Sequence, residues 1–335
     1  MFMKQFVLAR GYASATLIAI LLSSVNLKAA DDDSWHLLQK AAVAARALSY
    51  KGIFVCQTSK QVKSVEITHM YDGKNEFARN VVLDGSPREV LNQSGNVVIY
   101  NPQNEKIVIE KRRGQNMFPA ILPVNLDAIK VSYTLRQGEA ERVAGRSAQV
   151  LVLVPKDSLR YSYRFWIDAE YGLLLKSVML NSRDEVIESI SFNQISLMNT
   201  VALDWFKPKI DHSKNYVMEN EQALIANPDS NVDWEVKSLP AGYRKVDQMV
   251  RKVQGKSEPV THVVFSDGLA SVSLFIEHVS RNQKIKAGQK NMLSSSGNTN
   301  FYTHISQGHL VTVVGDVPEA AVVQIANAVV FKKIN

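Results

Sequence analysis

Apolar residues first recur with a helical period. Trp35, Leu38, Ala41, Ala42, Ala45 and Leu48 share one face, which predicts a helix over 34–49. Ser34 is placed to cap it, and Asp31 to Asp33 lie at its positive end, where carboxylates are favourable. The period then drops to two. Segments near 52–58, 62–71, 76–83, 88–92, 96–100 and 105–110 read as strands, separated by Asp72-Gly73, Asp84-Gly85 and Ser94-Gly95. Alternation resumes at 131–137, 147–154, 159–167, 173–181 and 186–198. In the hairpin "RYSYRFWIDAEYGLLLKSVML", Tyr161, Tyr163, Phe165 and Ile167 fall on one face, with Arg160, Ser162 and Arg164 on the other. Period alone does not say whether that aromatic face covers a protein core or a ligand.

Between the two meanders lies Asn116-Met-Phe-Pro-Ala-Ile-Leu-Pro-Val-Asn-Leu126, strongly apolar but too proline-rich for a central strand. Two readings stay open: a buried plug, or a movable flap formed by Met117, Phe118, Ile121 and Leu122 over a hydrophobic cavity. Residues 212–231 are polar and suit a linker. Beyond them, strands are predicted near 243–252, 260–266 and 269–280, with Ser266-Asp-Gly268 as a tight turn. A further hairpin joins 299–306 to 309–314 through Gln307-Gly308. Asp316 is placed to cap a terminal helix with Pro318 in its first turn, and Lys332 and Lys333 at its negative end; Ser294 to Gly297 reads as a flexible loop. The expected fold class is therefore mainly β with α+β character. An antiparallel unit over 31–211 would be followed by a small sheet-and-helix unit over 232–335.

Composition narrows the compartment. Lys4 and Arg10, then the apolar run Ala13 to Leu22, then Ala29 and Ala30 have the layout of a cleavable signal peptide over residues 1–30, with the cut after either alanine. No cysteine stands there, so a lipoprotein signal is excluded. An exported chain is the expectation, and Cys56, the only cysteine of 335 residues, leaves no intramolecular disulfide. Its apolar setting suits an inert thiol. The formal charge of +7 includes Lys4, Arg10 and Lys28, and the remainder is spread evenly, which is too little to argue for nucleic-acid binding.

No phosphate-cradling glycine loop, GxSxG elbow or HExxH pair occurs, and the seven histidines show no metal-ligand spacing. His304 and His309, flanking a turn, read as surface residues. No catalytic residue, metal or cofactor is assigned, and the chemistry expected is binding.

Four stretches carry a resemblance: "GSPREVLNQSGNVVIYNP" at 85–102, "LRYSYRFWIDAEYGLLLKSVML" at 159–180, "VVFSDGLASVSLFIEHVS" at 263–280 and "VTVVGDVPEAAVVQIANAV" at 311–329. In this order and spacing the chain resembles the periplasmic sigma-E factor regulatory proteins of the RseB/MucB family. The resemblance implies an N-terminal unclosed β-barrel with helices in its mouth, similar to the lipoprotein carrier LolA, and a smaller C-terminal domain that binds a partner. That partner would be the periplasmic part of a membrane-spanning anti-sigma factor of the RseA/MucA type, shielded from proteolysis while bound. Lipopolysaccharide or mislocalised lipoprotein acyl chains would release it. Tyr163, Phe165, Leu175, Met179, Ile190 and Phe192 are the candidate lipid-cavity residues, with Val98 and Ile107 from the earlier sheet. Phe265, Leu274 and Ile276 are the candidates for partner binding. A periplasmic lipoprotein carrier or chaperone is the alternative function, and whether the chain forms a homo-oligomer is left open.

Overall fold

The computed structural model describes residues 32–93, 96–101, 103, 106–111, 117–199, 202–207, 217–220, 233–251, 258–279 and 291–332. The signal-peptide expectation and the Ser94-Gly95 turn lie outside these residues, as does most of the polar connection.

Helix α1 spans 32–47 and buries Leu38, Ala41, Ala42 and Ala45. It starts before Ser34, which sits inside the first turn at 3% exposure rather than at the cap. Asp32 and Asp33 occupy the first turn, where the helix dipole favours them.

Six strands follow as a meander: β1 (Tyr50–Thr58), β2 (Val62–Tyr71), β3 (Glu76–Val82), β4 (Arg88–Gln93), β5 (Asn96–Asn101) and β6 (Lys106–Lys111). After the proline-rich segment comes a short helix α2 (Asp127–Ser132). Then come β7 (Tyr133–Val143), β8 (Arg146–Pro155), β9 (Ser162–Asp168), β10 (Leu174–Leu180) and β11 (Val186–Leu197). The predicted strand at 131–137 thus begins two residues later, because α2 runs to Ser132. The two meanders fuse through antiparallel pairing of β1 with β11, centred on Phe54 opposite Phe192. A short strand β12 (Val217–Asn220) adds in parallel to β6. The resulting twelve-stranded sheet runs β12-β6-β5-β4-β3-β2-β1-β11-β10-β9-β8-β7. It does not close on itself. It does curl, so that β7 approaches β11. The antiparallel meanders expected from the alternation and the unclosed sheet implied by the resemblance are both observed.

Asp168 explains why the aromatic hairpin turns where it does. Its carboxylate accepts N–H bonds from Glu170 and Tyr171 (3.1 and 2.8 Å) and an ion pair from Arg146, while Gly172 supplies φ +77°. These donors hold the Asp168 carboxyl below its ordinary range in spite of burial.

The C-terminal part is a second sheet. Strands β13 (Trp234–Val236), β14 (Arg244–Arg251), β15 (Val260–Ser266), β16 (Ser271–His278), β17 (Met292–Ser296), β18 (Thr299–Ser306) and β19 (His309–Gly315) precede helix α3 (Glu319–Asn327) and β20 (Val329–Phe331). Six strands are ordered β14-β15-β16-β19-β18-β17, and β13 pairs separately with β20. Helix α3 lays Ala321, Val322, Ile325 and Ala326 on Val263, Val272, Leu274, Val311 and Val313.

Several local expectations differ from this. Pro318, not Asp316, precedes α3, and no side chain caps it; the Asp316 carboxylate instead accepts a bond from Thr299 Oγ1 at 2.6 Å. Val329 to Phe331 leave the helix for a strand, as β-branched and aromatic residues favour, so Lys332 follows β20 rather than ending α3. Ser294 to Ser296, expected in a loop, belong to edge strand β17, held by pairing with β18 rather than by any apolar alternation. His304 and His309, expected at the surface, are both half-buried. The register sets His309 beside His278, with ring centroids 5.4 Å apart.

Candidate functional site

The aromatic face is one surface of the large sheet. Register carries it from strand to strand: Phe54 faces Phe192, Ile190 faces Ser177, Phe165 faces Ser177 from the other side, Tyr163 faces Met179, and Leu151 and Leu153 face Phe165 and Tyr163. Tyr163, Phe165, Leu175, Met179, Ile190 and Phe192 therefore lie together on the concave side. All but the half-buried Ile190 are at most 9% exposed. Tyr163 stacks on Phe165 at 5.7 Å and meets Tyr133 edge-on at 6.4 Å. Burial raises the Tyr163 and Tyr133 hydroxyls well above an ordinary tyrosine.

Val98 and Ile107 are not brought to this face. The register Thr68–Arg79–Leu91–Val98 runs along the opposite side, and Ile107, opposite Tyr100, joins it there. Among the described residues, the 3-10 turn Leu203–Phe206 packs on that side. Trp205 lies under the cations of Lys51 and Arg79 at 5.3 and 5.0 Å and donates its Nε1–H to Thr68 Oγ1 at 3.0 Å. A half-buried strand shows which residues share a face, but not which face of which strand is concave.

What covers the aromatic face is the proline-rich segment, continued by α2. Residues 117–132 form a strap that belongs to no strand ladder over 117–126. Phe118 wedges between Phe54 (5.1 Å) and Phe192 (5.0 Å), while Leu122, Leu126 and Ile129 are at most 2% exposed. Met117 is exposed and Ile121 half-buried. Helix α1 ties the strap down: Arg46 Nη2 donates to the Ala120 carbonyl at 3.0 Å and Gln39 Nε2 to the Val124 carbonyl at 2.7 Å. In this arrangement the segment is a plug.

Two openings adjoin the plugged face. A cavity of about 10 Å³ among Arg146, Asp168, Tyr171 and Leu197 has room for one water at most. A shallow trough of about 400 Å³ runs along α1 past His36, Lys40, Val43, Ala47 and Tyr171. At the rim of the concave face, Cys56 faces Ile190, and burial together with Glu188 pushes its thiol up to about 11. A thiol so protonated at neutral pH is a poor nucleophile. Among the described residues, no group of three or more His, Cys, Asp and Glu is placed to hold a metal ion, and no helix is long and apolar enough to cross a membrane.

Phe265, Leu274 and Ile276 are 3%, 0% and 5% exposed inside the C-terminal core, so their side chains offer no surface to a partner. Expected on a partner surface, they instead form the buried face of β15 and β16. The residues that join the two parts of the molecule went unrecognised in the sequence. Arg160 and Asp267, 107 positions apart, form an ion pair at 2.7 Å with both side chains fully buried. Arg160 also bonds Asp157 and the Ala241 carbonyl and lies over the Tyr243 ring at 4.9 Å. Desolvation works against its charge, but the hydrogen bonds it donates to Asp267 and Asp157 outweigh it and raise its pKa. Nothing in a strand period signals a pairing at that separation.

Comparison with known proteins places this arrangement. The family model for the MucB/RseB N-terminal domain matches residues 33–210, and that for the MucB/RseB C-terminal domain matches 228–330. The sigma-E factor regulatory protein RseB of Haemophilus influenzae is 27% identical over 333 residues, covering 95% of this chain and 98% of that one. The sigma factor AlgU regulatory protein MucB of Pseudomonas aeruginosa is 26% identical over 312 residues, covering 90% and 92%. The fold is also similar to that of MucB solved in complex with MucA(peri), with a TM-score of 0.71 at 24% identity over 90% of this chain and 99% of that one. With both domain models matched in order along most of its length, the chain belongs to the MucB/RseB family.

Proposed function

We propose that this chain is a periplasmic negative regulator of a sigma-E-type envelope-stress response. It binds the periplasmic part of a membrane-spanning anti-sigma factor, shields that segment from proteolysis, and lets go when lipid enters its concave face. Support for the partner comes from the names of the relatives, two of them sigma-factor regulatory proteins, and from the MucB relative whose structure was solved with MucA(peri). The observation that carries the lipid part is a continuous aromatic face closed by a strap that joins no strand ladder over 117–126.

Magnitudes favour an exchange of plug for acyl chain. Exposing Phe118 and Leu122 costs about 5 kcal/mol, whereas ten buried methylenes gain about 8 kcal/mol at 0.8 kcal/mol each. A lipopolysaccharide or lipoprotein chain of ordinary length therefore competes with the plug. For lipid to release a partner it must prefer the partner-free conformation, since equal affinity for both shifts nothing. Phe165→Arg tests the site. A variant that folds by circular dichroism should still capture the anti-sigma segment, and lipid A fragments or acylated peptides should no longer release it. Release undiminished in a folded variant places the lipid elsewhere.

A further inference from the structure

The two parts of the molecule meet around one buried arginine. Arg160 precedes β9 in the first part, and its guanidinium spends Nε on Asp267 Oδ2 (2.7 Å) and Nη2 on the Ala241 carbonyl, both in the second part. Asp267 is satisfied on its other oxygen as well: Oδ1 accepts the N–H groups of Leu269 and Ala270 at 2.9 and 2.8 Å, which shapes the hairpin tip. The bonds from Arg160 to Asp267 and to the Ala241 carbonyl are specific to one relative placement of the two parts, whereas the bond to Asp157 stays within the first.

Two glycines fix the placement further. Gly242 (φ +80°) sits so close to α2 that a Cβ there would collide with Ser132 Oγ. At Gly268 (φ +102°) a Cβ would come within 3.0 Å of Pro123. Ser132 Oγ donates to the Ala241 carbonyl at 3.1 Å. Leu269 of the second part packs on the first core and Leu159 of the first on the second core. Pro123, Ile129 and Ser132 all belong to the strap, whose other end is the Phe118 wedge between Phe54 and Phe192.

We propose that Arg160 and Asp267 form a latch that sets the orientation of the second part against the first, and that the strap 117–132 holds the latch closed. Burial makes the latch two-state. Any displacement that separates the pair leaves Arg160 with Asp157 alone and Asp267 with only the N–H groups of Leu269 and Ala270 until water reaches them, so partial opening is disfavoured. The strap transmits because it is one short continuous element with its ends in two places: an aromatic wedge under the sheet and a seat for Gly242 and Gly268. A change at the wedge is felt at the seat. This holds whether or not the chain binds lipid or an anti-sigma factor.

The test is a distance measurement on the whole mature chain. Spin labels at Val186→Cys and Leu293→Cys, both exposed and one in each part, are placed in a Cys56→Ser background and read by pulsed electron spin resonance. The parent should give one narrow distance. Asp267→Asn, which keeps the turn-capping oxygen and loses the charge, should add a second, displaced population. Arg160→Lys, which keeps the charge and loses the fork, should do the same and stands in if the first variant does not fold. Phe118→Ala should also add the second population, although it lies at the far end of the strap. A narrow, unshifted distance in a folded latch variant overturns the latch. The same result for folded Phe118→Ala overturns the strap's part in it.

Discussion

Glu188 sits on the concave face of β11, opposite Met179 and two residues from Ile190, and its carboxyl is raised above the usual glutamate range. Burial is the larger cause, and the Asp316 carboxylate, which comes from the second part of the molecule, adds to it. A carboxyl raised in the folded state binds its proton more tightly than in the unfolded chain. Its contribution is favourable below the unfolded glutamate pKa and is lost as pH rises through the folded one. Glu188→Gln should therefore raise Tm at pH 7 and leave it almost unchanged at pH 4. Equal gains at both values contradict the assignment. The sequence offered no hint of this group, because its causes are burial in the folded sheet and the charge of a carboxylate far along the chain. What the sequence did show at this scale was local: Gly73, Gly85 and Gly268 were expected at turns, and each has a positive φ. Turn chemistry is written in adjacent residues, whereas the environment of Glu188 or Arg160 is written only in the fold.

Strands were the most legible elements. The expected bounds of β2, β15 and β18 match the structure to the residue, set by the turns on either side. Alternation failed where pairing rather than burial makes the strand: β17 is exposed along its whole length, and β13 and β20 are three residues each. The proline-rich strap was visible as an anomaly, and its two readings could not be separated from residue types alone. Its place in the structure gives a stability prediction. Phe118 is 5% exposed against two phenylalanines, so Phe118→Ala should cost about 3 kcal/mol, at the low end for such truncations because the strap can settle into the gap. Urea unfolding followed by circular dichroism measures it. A cost under about 1 kcal/mol would mean that Phe118 is not the wedge holding the strap.

At the scale of the molecule, a curled open sheet presents one concave face, and a second sheet-and-helix unit abuts its edge through a buried charge pair. Six of the eight cavity candidates share the concave face, four of them in the hairpin and two, Ile190 and Phe192, on β11. Val98 and Ile107 fell on the other side because the sequence gives each strand's alternation but not the register between meanders. The partner surface was not legible at all: Phe265, Leu274 and Ile276 were chosen for being apolar, and apolar residues of an alternating strand go inside. The most direct measurement is the affinity of the mature chain for the periplasmic segment of a membrane-spanning anti-sigma factor, titrated with lipid A or an acylated peptide. The account predicts binding without lipid and an apparent Kd that climbs steadily as the amphiphile is added. No binding of the segment, or a Kd indifferent to every acylated ligand, would contradict it.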